Sequence, residues 1–542
     1  MSLLLAIKNN QLRFFIYSLL SGLLFVFAFE PFGLFPLAYL GFIPLLYLEK
    51  ECRENDNGNV LSLFLFSWLA FIVWNAGTTW WIWNASNGGA IAAVLINSLP
   101  MVLPLLLLHA SARKNKQANY TLFVFAWLAI EILQFNWDLA FPWLILGNVF
   151  SSFTQGVQWY EYTGVLGGSI LVLIVNTKLF NWYKSYKEGN FIGKELRMFH
   201  ILFTYIFCPI LGSYFVLQHF KEYKINYPEK TASVLIVQPN IDPYSEKFNG
   251  LGYQEQLNKM FELAARKINA KTQLLVFPET ALLGGLYEQE LEQDPLIKSC
   301  KQFISKHPGL VLLTGADTYR TFYPNDPQKP ITARFYPSVQ QCIDAYNTAL
   351  LLQESSPIQV YHKNKMVPGV ERMPYPFLFG FLENLAIDLG GTSGSLGSDG
   401  ESKVFDTQHR VKIAPVICYE SVFPDFISSY KVKGADLYCI MTNDGWWGDT
   451  PGYQQHLKYA QLRAIENRTP IVRCANTGIS AFINDEGEIT QQTNWWVPTS
   501  IEGQVSMSSY VSFYGKNASF IHGICLFIFF LQVIKLSVQR KF

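Results

Sequence analysis

Charge is what this chain lacks. Only 15% of its 542 residues are Asp, Glu, Lys or Arg, against about 25% in an ordinary soluble domain. The deficit is local: residues 12–219 are mostly apolar, whereas 230–510 have ordinary globular composition. A formal net charge of +1 with no basic stripe gives no sign of a nucleic-acid partner. Eight cysteines are scattered without CxxC or Cys/His spacing, which argues against a zinc site, and no metal is expected. No heptad or interface repeat is present, so a monomer is expected. The length allows two or three domains.

What fills the charge-poor part is long apolar runs. A membrane-spanning helix needs about 17–25 mainly apolar residues. Runs at 12–29, 33–48, 60–83, 89–110, 120–135, 163–183 and 200–219 qualify or nearly so, and an eighth lies at 516–536. The first is not read as a signal peptide: it has no small-residue cleavage site, and Glu30-Pro31-Phe32 leads straight into the next run. The loop charges alternate. Lys8 and Arg13, Lys50 and Arg53, Arg113, Lys114 and Lys116, Lys184, Lys187, Lys194 and Arg197, then Lys535, Arg540 and Lys541 mark one side. The loops 30–32, 84–88 and 136–162 contain no Lys or Arg. By the positive-inside rule the N-terminus is cytoplasmic, and seven spans put the following 221–515 outside. The expected layout is a polytopic α-helical membrane domain over 1–220, an exported α/β domain over 221–515, and a last helix with a cytoplasmic tail over 516–542. In a bacterium with two membranes this means the inner membrane, with the exported domain in the periplasm.

Within the exported part, short apolar runs read as buried strands: Val234–Val237, Leu274–Val276, Leu310–Thr314, Ala349–Leu352, Val411–Ile417, Leu437–Met441 and Ile471–Cys474. Residues 253–269 have helical apolar spacing. Polar residues follow the strand ends at Glu279, Cys418 and Asn443-Asp444, where α/β folds place their sites. A thiol needs a base or a nearby cation to become a nucleophile. Glu279 is a candidate base, Lys363 a candidate partner for an oxyanion, and Cys418 the candidate nucleophile.

Three motifs resemble those of the nitrilase, or carbon–nitrogen hydrolase, superfamily: Phe277-Pro278-Glu279-Thr280, Tyr361-His362-Lys363, and Val416-Ile417-Cys418-Tyr419-Glu420. Val367-Pro368-Gly369-Val370-Glu371, Asn443-Asp444-Gly445-Trp446-Trp447-Gly448-Asp449, Asn476-Thr477-Gly478-Ile479-Ser480 and Phe141-Pro142-Trp143 are similar to further motifs of one branch, the apolipoprotein N-acyltransferases. The resemblance covers nearly the whole chain. It implies a nitrilase-like αββα sandwich with a Glu279–Lys363–Cys418 triad, supported by Glu371, Tyr419 and Glu420. The implied reaction moves an acyl chain from a phospholipid to the N-terminal amine of a diacylglyceryl-cysteine lipoprotein, by way of a Cys418 thioester and without a cofactor. The alternative is a membrane-anchored amidase or nitrilase with water as second nucleophile. The family often has Trp where Lys247-Phe248 stands here. Phe248, Pro374, Tyr375, Phe377, Phe379 and Trp143 are candidate lipid contacts. The apolar 374–382 segment reads either as a lid hinged at Gly380 and Gly390-Gly391 or as packing on the membrane domain. Glu131 is expected to bond a neighbouring helix or to meet a head group. His456, Arg463 and Glu466 read as structural, and a Cys300–Cys342 disulfide is left open.

Overall fold

The computed structural model describes residues 2–54, 59–115, 117–187, 194–227, 230–247, 250–379, 395–507 and 509–538. The chain forms two compact units, Met1–Phe220 with Asn517–Phe542, and Lys221–Lys516.

In the first unit, six helices among the described residues are long and apolar enough to cross a bilayer. They are Asn10–Ala28, Val60–Thr79, Asn87–Arg113, Val165–Lys187, Glu195–Asn226 and Phe513–Val538. Tyr120–Asn136 is apolar but shorter. The run at 33–48 differs from expectation. It is a tight turn over Phe35–Tyr39 followed by the 12-residue helix Ile43–Glu54. That helix alone is about 18 Å long, so the run reaches across a hydrocarbon core of about 30 Å only as an interrupted segment. Gly33 takes the left-handed conformation (φ 62°), and Pro36 and Pro44 interrupt helical hydrogen bonding. The break is stitched from Val165–Lys187. Asn176 accepts from the Phe42 N–H (2.8 Å) and donates to the Ala38 carbonyl (2.8 Å). Away from water an unpaired backbone group costs several kcal/mol, so interrupted helices persist where a side chain supplies the partner. Glu131 meets the expectation of a bond to a neighbouring helix. It accepts from Trp127 Nε1 of its own helix (3.0 Å), from the Leu146 N–H (2.7 Å) in the turn Leu146–Ser152, and from Ser169 of the long helix Val165–Lys187.

The second unit is built on two sheets. We label eight of its strands β1 (Lys230–Gln238), β2 (Leu274–Val276), β3 (Val311–Phe322), β4 (Gln341–Leu352), β5 (Lys412–Ile417), β6 (Leu437–Thr442), β7 (Ile471–Ala475) and β8 (Thr499–Met507). The first sheet runs β8-β1-β2-β3-β4, with β1, β2 and β3 parallel. The second is centred on β5-β6-β7, also parallel. Such strands are buried on both faces, which explains their unbroken apolar runs. Alternate residues serve alternate layers. Val234, Ile236, Val276, Leu313 and Leu351 meet Ile413, Cys439 and Val472 between the sheets. Leu235, Val237, Leu275 and Leu312 pack under the helices Tyr253–Ala265 and Pro295–Ser305. The helices Pro424–Val432 and Pro451–Asn467 supply Ile427, Leu457 and Ala464 to the second sheet. The architecture is the αββα sandwich of the nitrilase fold.

Two local differences matter later. β3 runs well past the apolar Leu310–Thr314, because the polar continuation Asp317–Arg320 pairs with Asn347–Asp344 of β4. Cys300 and Cys342 are both buried free thiols.

Candidate active site

Glu279 lies just beyond β2, where Phe277-Pro278 ends the strand. The turn is held against β3: the Gly315 N–H donates to the Pro278 carbonyl (3.1 Å). A Cβ at Gly315 would lie 2.5 Å from the Thr280 nitrogen, so this approach requires glycine. Thr280 itself is left-handed (φ 46°). Lys363 follows the strand Gln359–His362, and its N–H donates to the Asn347 carbonyl of β4 (2.9 Å). Cys418 ends β5 and opens the turn Cys418–Val422 with φ 49°. A non-glycine residue there stores strain of about 1–3 kcal/mol, and such strain gathers at functional sites.

These strand ends bring the candidate residues together. Lys363 Nζ donates to Glu371 Oε1 (2.6 Å) and to Glu279 Oε1 (3.4 Å). Asn347 Nδ2 donates to Glu279 Oε1 (2.9 Å) and Glu371 Oε1 (3.3 Å). The Cys418 sulfur accepts from Thr442 Oγ1 (3.4 Å) and lies within electrostatic reach of both Glu279 and Lys363. Burial by itself would push the Lys363 ammonium down, but Glu371 and Glu279 outweigh it and hold it above its ordinary range. Burial and the Glu279 carboxylate push the Cys418 thiol up, against Lys363. The Lys363 ammonium, the Glu279 and Glu371 side chains and the Cys418 thiol are thus gathered in one place.

Glu371 and Glu420 hold the lysine segment by different contacts. Glu371 touches Lys363 directly and accepts from the Val367 N–H (2.8 Å). Glu420 accepts from the Asn364 N–H (2.7 Å), the Tyr361 hydroxyl (2.6 Å) and the Ile417 N–H (2.8 Å). It ties the backbone beside Lys363 to the backbone before Cys418. Burial pushes its carboxyl up to about 7, against those hydrogen bonds. Tyr419 is buried and directly follows Cys418 in the turn.

His362, next to Lys363, is clamped between two carboxylates. Its Nε2 meets Glu288 Oε1 (2.5 Å), its Nδ1 meets Asp399 Oδ1 (2.6 Å), and its N–H donates to Asp399 Oδ2 (3.0 Å). Burial opposes the imidazolium, but the two carboxylates raise its pKa overall. Both carboxyls are lowered in turn, their burial outweighed by His362. A raised histidine stabilises fully below its unfolded pKa of about 6.5 and loses that contribution as pH rises through the folded value. The lowered carboxylates stabilise above about pH 4 and lose that contribution as pH falls through their folded values. The clamp is therefore tightest at about pH 4–6.5. Hydrogen exchange of amides 359–364, corrected for intrinsic rate, should be slowest in that window and quicken toward alkaline pH. His362→Gln should flatten the dependence, and an unchanged profile would refute the clamp.

Behind Cys418 lies a buried network that periodicity did not reveal. The single Thr442 hydroxyl proton is shared between the Cys418 sulfur and Asp444 Oδ1 (2.8 Å). Asp444 Oδ2 accepts from Arg473 Nη2 (2.7 Å), and Asp444 Oδ1 meets His456 Nδ1 (3.0 Å). His456 Nε2 reaches Ser421 Oγ (2.8 Å) and the Cys418 carbonyl (3.3 Å). His456 thus does more than fill a helix face: it touches the turn that carries the thiol. Arg463 and Glu466 form a buried ion pair (2.7 Å) on the same helix. The strand-end Asn443-Asp444 and the following Gln455-His456, similar to the family's loop after the strand end, are the sequence signals for this network.

The candidate lipid contacts are dispersed. Pro374 is buried, Tyr375 is half-buried with φ 43°, and Phe377 is 82% exposed. Phe248, the Phe379 side chain and the glycines Gly380, Gly390 and Gly391 lie outside the described residues. Trp143 belongs to the first unit, where its ring is buried 5.0 Å from that of Trp81, because the turn Pro142–Leu144 folds inward. Among the described residues no group of three His, Cys, Asp or Glu side chains could hold a metal ion.

Residues 234–513 match the carbon-nitrogen hydrolase family, and residues 21–177 match the apolipoprotein N-acyltransferase N-terminal domain. An apolipoprotein N-acyltransferase of Chlorobaculum tepidum is 30% identical over 538 residues, covering 97% of each chain. One from Geobacter metallireducens is 26% identical over 95% of this chain and 93% of its own. A solved member of branch 10 of the nitrilase superfamily from Saccharomyces cerevisiae is 15% identical, covering 51% of this chain and 90% of its own, with a TM-score of 0.35. The hydrolase-type sandwich and the helical unit that precedes it are thus matched together along one chain, and this chain belongs to the apolipoprotein N-acyltransferase family of membrane acyltransferases.

Proposed function

We propose that the chain transfers an acyl group from a phospholipid to the terminal amine of a diacylglyceryl-cysteine lipoprotein, in two steps through a thioester on Cys418. Glu279 takes the Cys418 proton as the sulfur attacks the ester carbonyl, and gives it to the departing lysophospholipid oxygen. Lys363, with the Tyr419 N–H, faces the charge that develops on the carbonyl oxygen. The amine then attacks the thioester, and Glu279 passes a proton from nitrogen to the leaving sulfur. Glu371 shares the Lys363 charge and holds the ammonium in place. The observation that carries this reading is the convergence of Glu279, Lys363 and the strained Cys418 in a chain that also carries bilayer-length apolar helices. The alternating loop charges support an inner-membrane location with the catalytic unit on the periplasmic side. The exposed Phe377 and its neighbour Tyr375 are the proposed lipid contacts. The enzyme acts as a monomer in this reading.

The test uses the full-length protein in detergent with a phospholipid carrying a labelled acyl chain. Without acceptor, the label should be found as a thioester on Cys418. Adding a diacylglyceryl-cysteine peptide should move it to the peptide amine. Cys418→Ala should do neither. Full transfer by that variant would sink the mechanism, and release of free acid alone, with acceptor present, would show a hydrolase.

A further inference from the structure

Asp317 is a carboxylate of this site that the two-step mechanism leaves unused. It lies on the polar extension of β3, directly opposite Asn347 of β4. Paired residues of an antiparallel ladder share a face, and Asn347 is the residue that touches both Glu279 and Glu371. Asp317 is half-buried, and among the described residues its carboxylate has no hydrogen-bond or ion-pair partner. A carboxylate half-withdrawn from water without a partner is costly unless a ligand supplies one.

The groups around it can be named. Lys247 lies within electrostatic range, but its Nζ donates to the Glu279 carbonyl (3.2 Å) and to Thr280 Oγ1 (2.5 Å). Burial pushes that ammonium down to about 8, against Glu279, Asp317 and Cys418. Tyr319, two residues along the strand, is a neutral phenol, pushed up to about 12 by burial and then by Asp317 and neighbouring tyrosines. Nearby groups of the site are thus Glu279, Lys247 and Tyr319.

We propose that Asp317 is the ammonium subsite of the acyl acceptor: it binds the protonated primary amine beside Glu279 and takes its first proton before attack. This rests on the acyl-transfer reading above. The proton count gives such a group a task. A terminal amine has a pKa of about 7.7–8.0, so it arrives mostly as –NH3+ and carries two protons more than the amide product retains. One goes to Asp317, and the neutral nitrogen then bonds the thioester carbon. A second goes to Glu279 and on to the Cys418 sulfur as the C–S bond breaks. The proton on Asp317 leaves to solvent. Burial has pushed the Asp317 carboxyl up to about 6, against Lys247, which narrows the gap to the amine it must deprotonate. An ammonium could also come from the head group of an ethanolamine phospholipid. The acceptor is favoured because its nitrogen must itself reach the carbon held on Cys418.

The test separates the two half-reactions in the full-length protein. The donor is a phospholipid with a glycerol head group, so the acceptor peptide brings the only ammonium. Asp317→Asn should form the thioester at the wild-type rate. Transfer to a diacylglyceryl-cysteine peptide should fall about 10- to 100-fold, the value of one charged hydrogen bond. Transfer to hydroxylamine, which is uncharged at neutral pH, should be unchanged, and Asp317→Glu should recover part of the loss. Equal slowing with both acceptors, wild-type transfer to the peptide, or slowed thioester formation would each overturn the proposal. So would a loss seen only with an ethanolamine donor, which would assign the subsite to the head group. If the wild-type protein forms no thioester at all, the acyl-transfer reading fails first and this subsite falls with it.

Discussion

Replacing Lys363 by Met should reduce thioester formation by at least about 10²- to 10³-fold, the scale of losing one preorganised oxyanion donor. It should also destabilise the catalytic unit by about 3–5 kcal/mol, the cost of breaking a buried ion pair from one side. The stability loss follows from the geometry. Lys363 is 1% exposed and lies between Glu279 and Glu371. Without its ammonium, those two carboxylates face each other across Asn347, which can donate to both but neutralise neither. The double variant Lys363→Met, Glu371→Gln removes one of the stranded charges. It should regain part of the stability and none of the activity. Thermal unfolding in detergent and a labelled-donor assay read the two effects separately. A double variant no more stable than the single one would show that the charge triangle does not hold this region together.

The second large effect is expected at Arg473. Its guanidinium is fully buried, donating to Asp444 (2.7 Å) and to the Ile479 carbonyl (2.6 Å). Burial alone would raise the Asp444 carboxyl, but Arg473 and then His456 overcome it and hold it at about 2. A carboxyl lowered from about 3.9 to about 2 contributes on the order of 3 kcal/mol near neutral pH. That contribution is present above the unfolded value and is lost as pH falls from about 4 through about 2. Arg473→Met should leave Asp444 buried without its guanidinium partner, destabilising the unit by about 3–5 kcal/mol at pH 7. The gap from wild type should shrink as acid protonates Asp444. Unfolding midpoints at pH 7 and in mild acid test the sign, and a gap that widens in acid would refute it. Activity should fall too, since Asp444 anchors the Thr442 hydroxyl that contacts the Cys418 sulfur.

Legibility divides along these same residues. Glu279, Lys363 and Cys418 stand where apolar runs stop, and strands end there because polar turn residues follow. Composition alone separates the helical unit from the sandwich, since bilayer-length helices need apolar residues all round. Partners across a sheet are another matter. Asn347 meets Glu279 because β3 and β4 pair along their full length, and nothing near either residue in the chain specifies that register. The run at 33–48 looks like a span by hydropathy, but Asn176, 134 residues away, pairs the backbone of its break.

By itself the amino-acid order determined the two-unit layout, the strand-end positions of the candidate triad and the alternation of loop charge. Those are properties of neighbours in the chain: period, composition and turn chemistry. Only the tertiary structure decided that Lys363 is shared by two carboxylates, that Arg473 and His456 stand behind the Cys418 turn, and that Asp317 lies opposite Asn347. Those contacts join residues far apart in the chain. Their energies come from burial, which no local stretch of sequence can express.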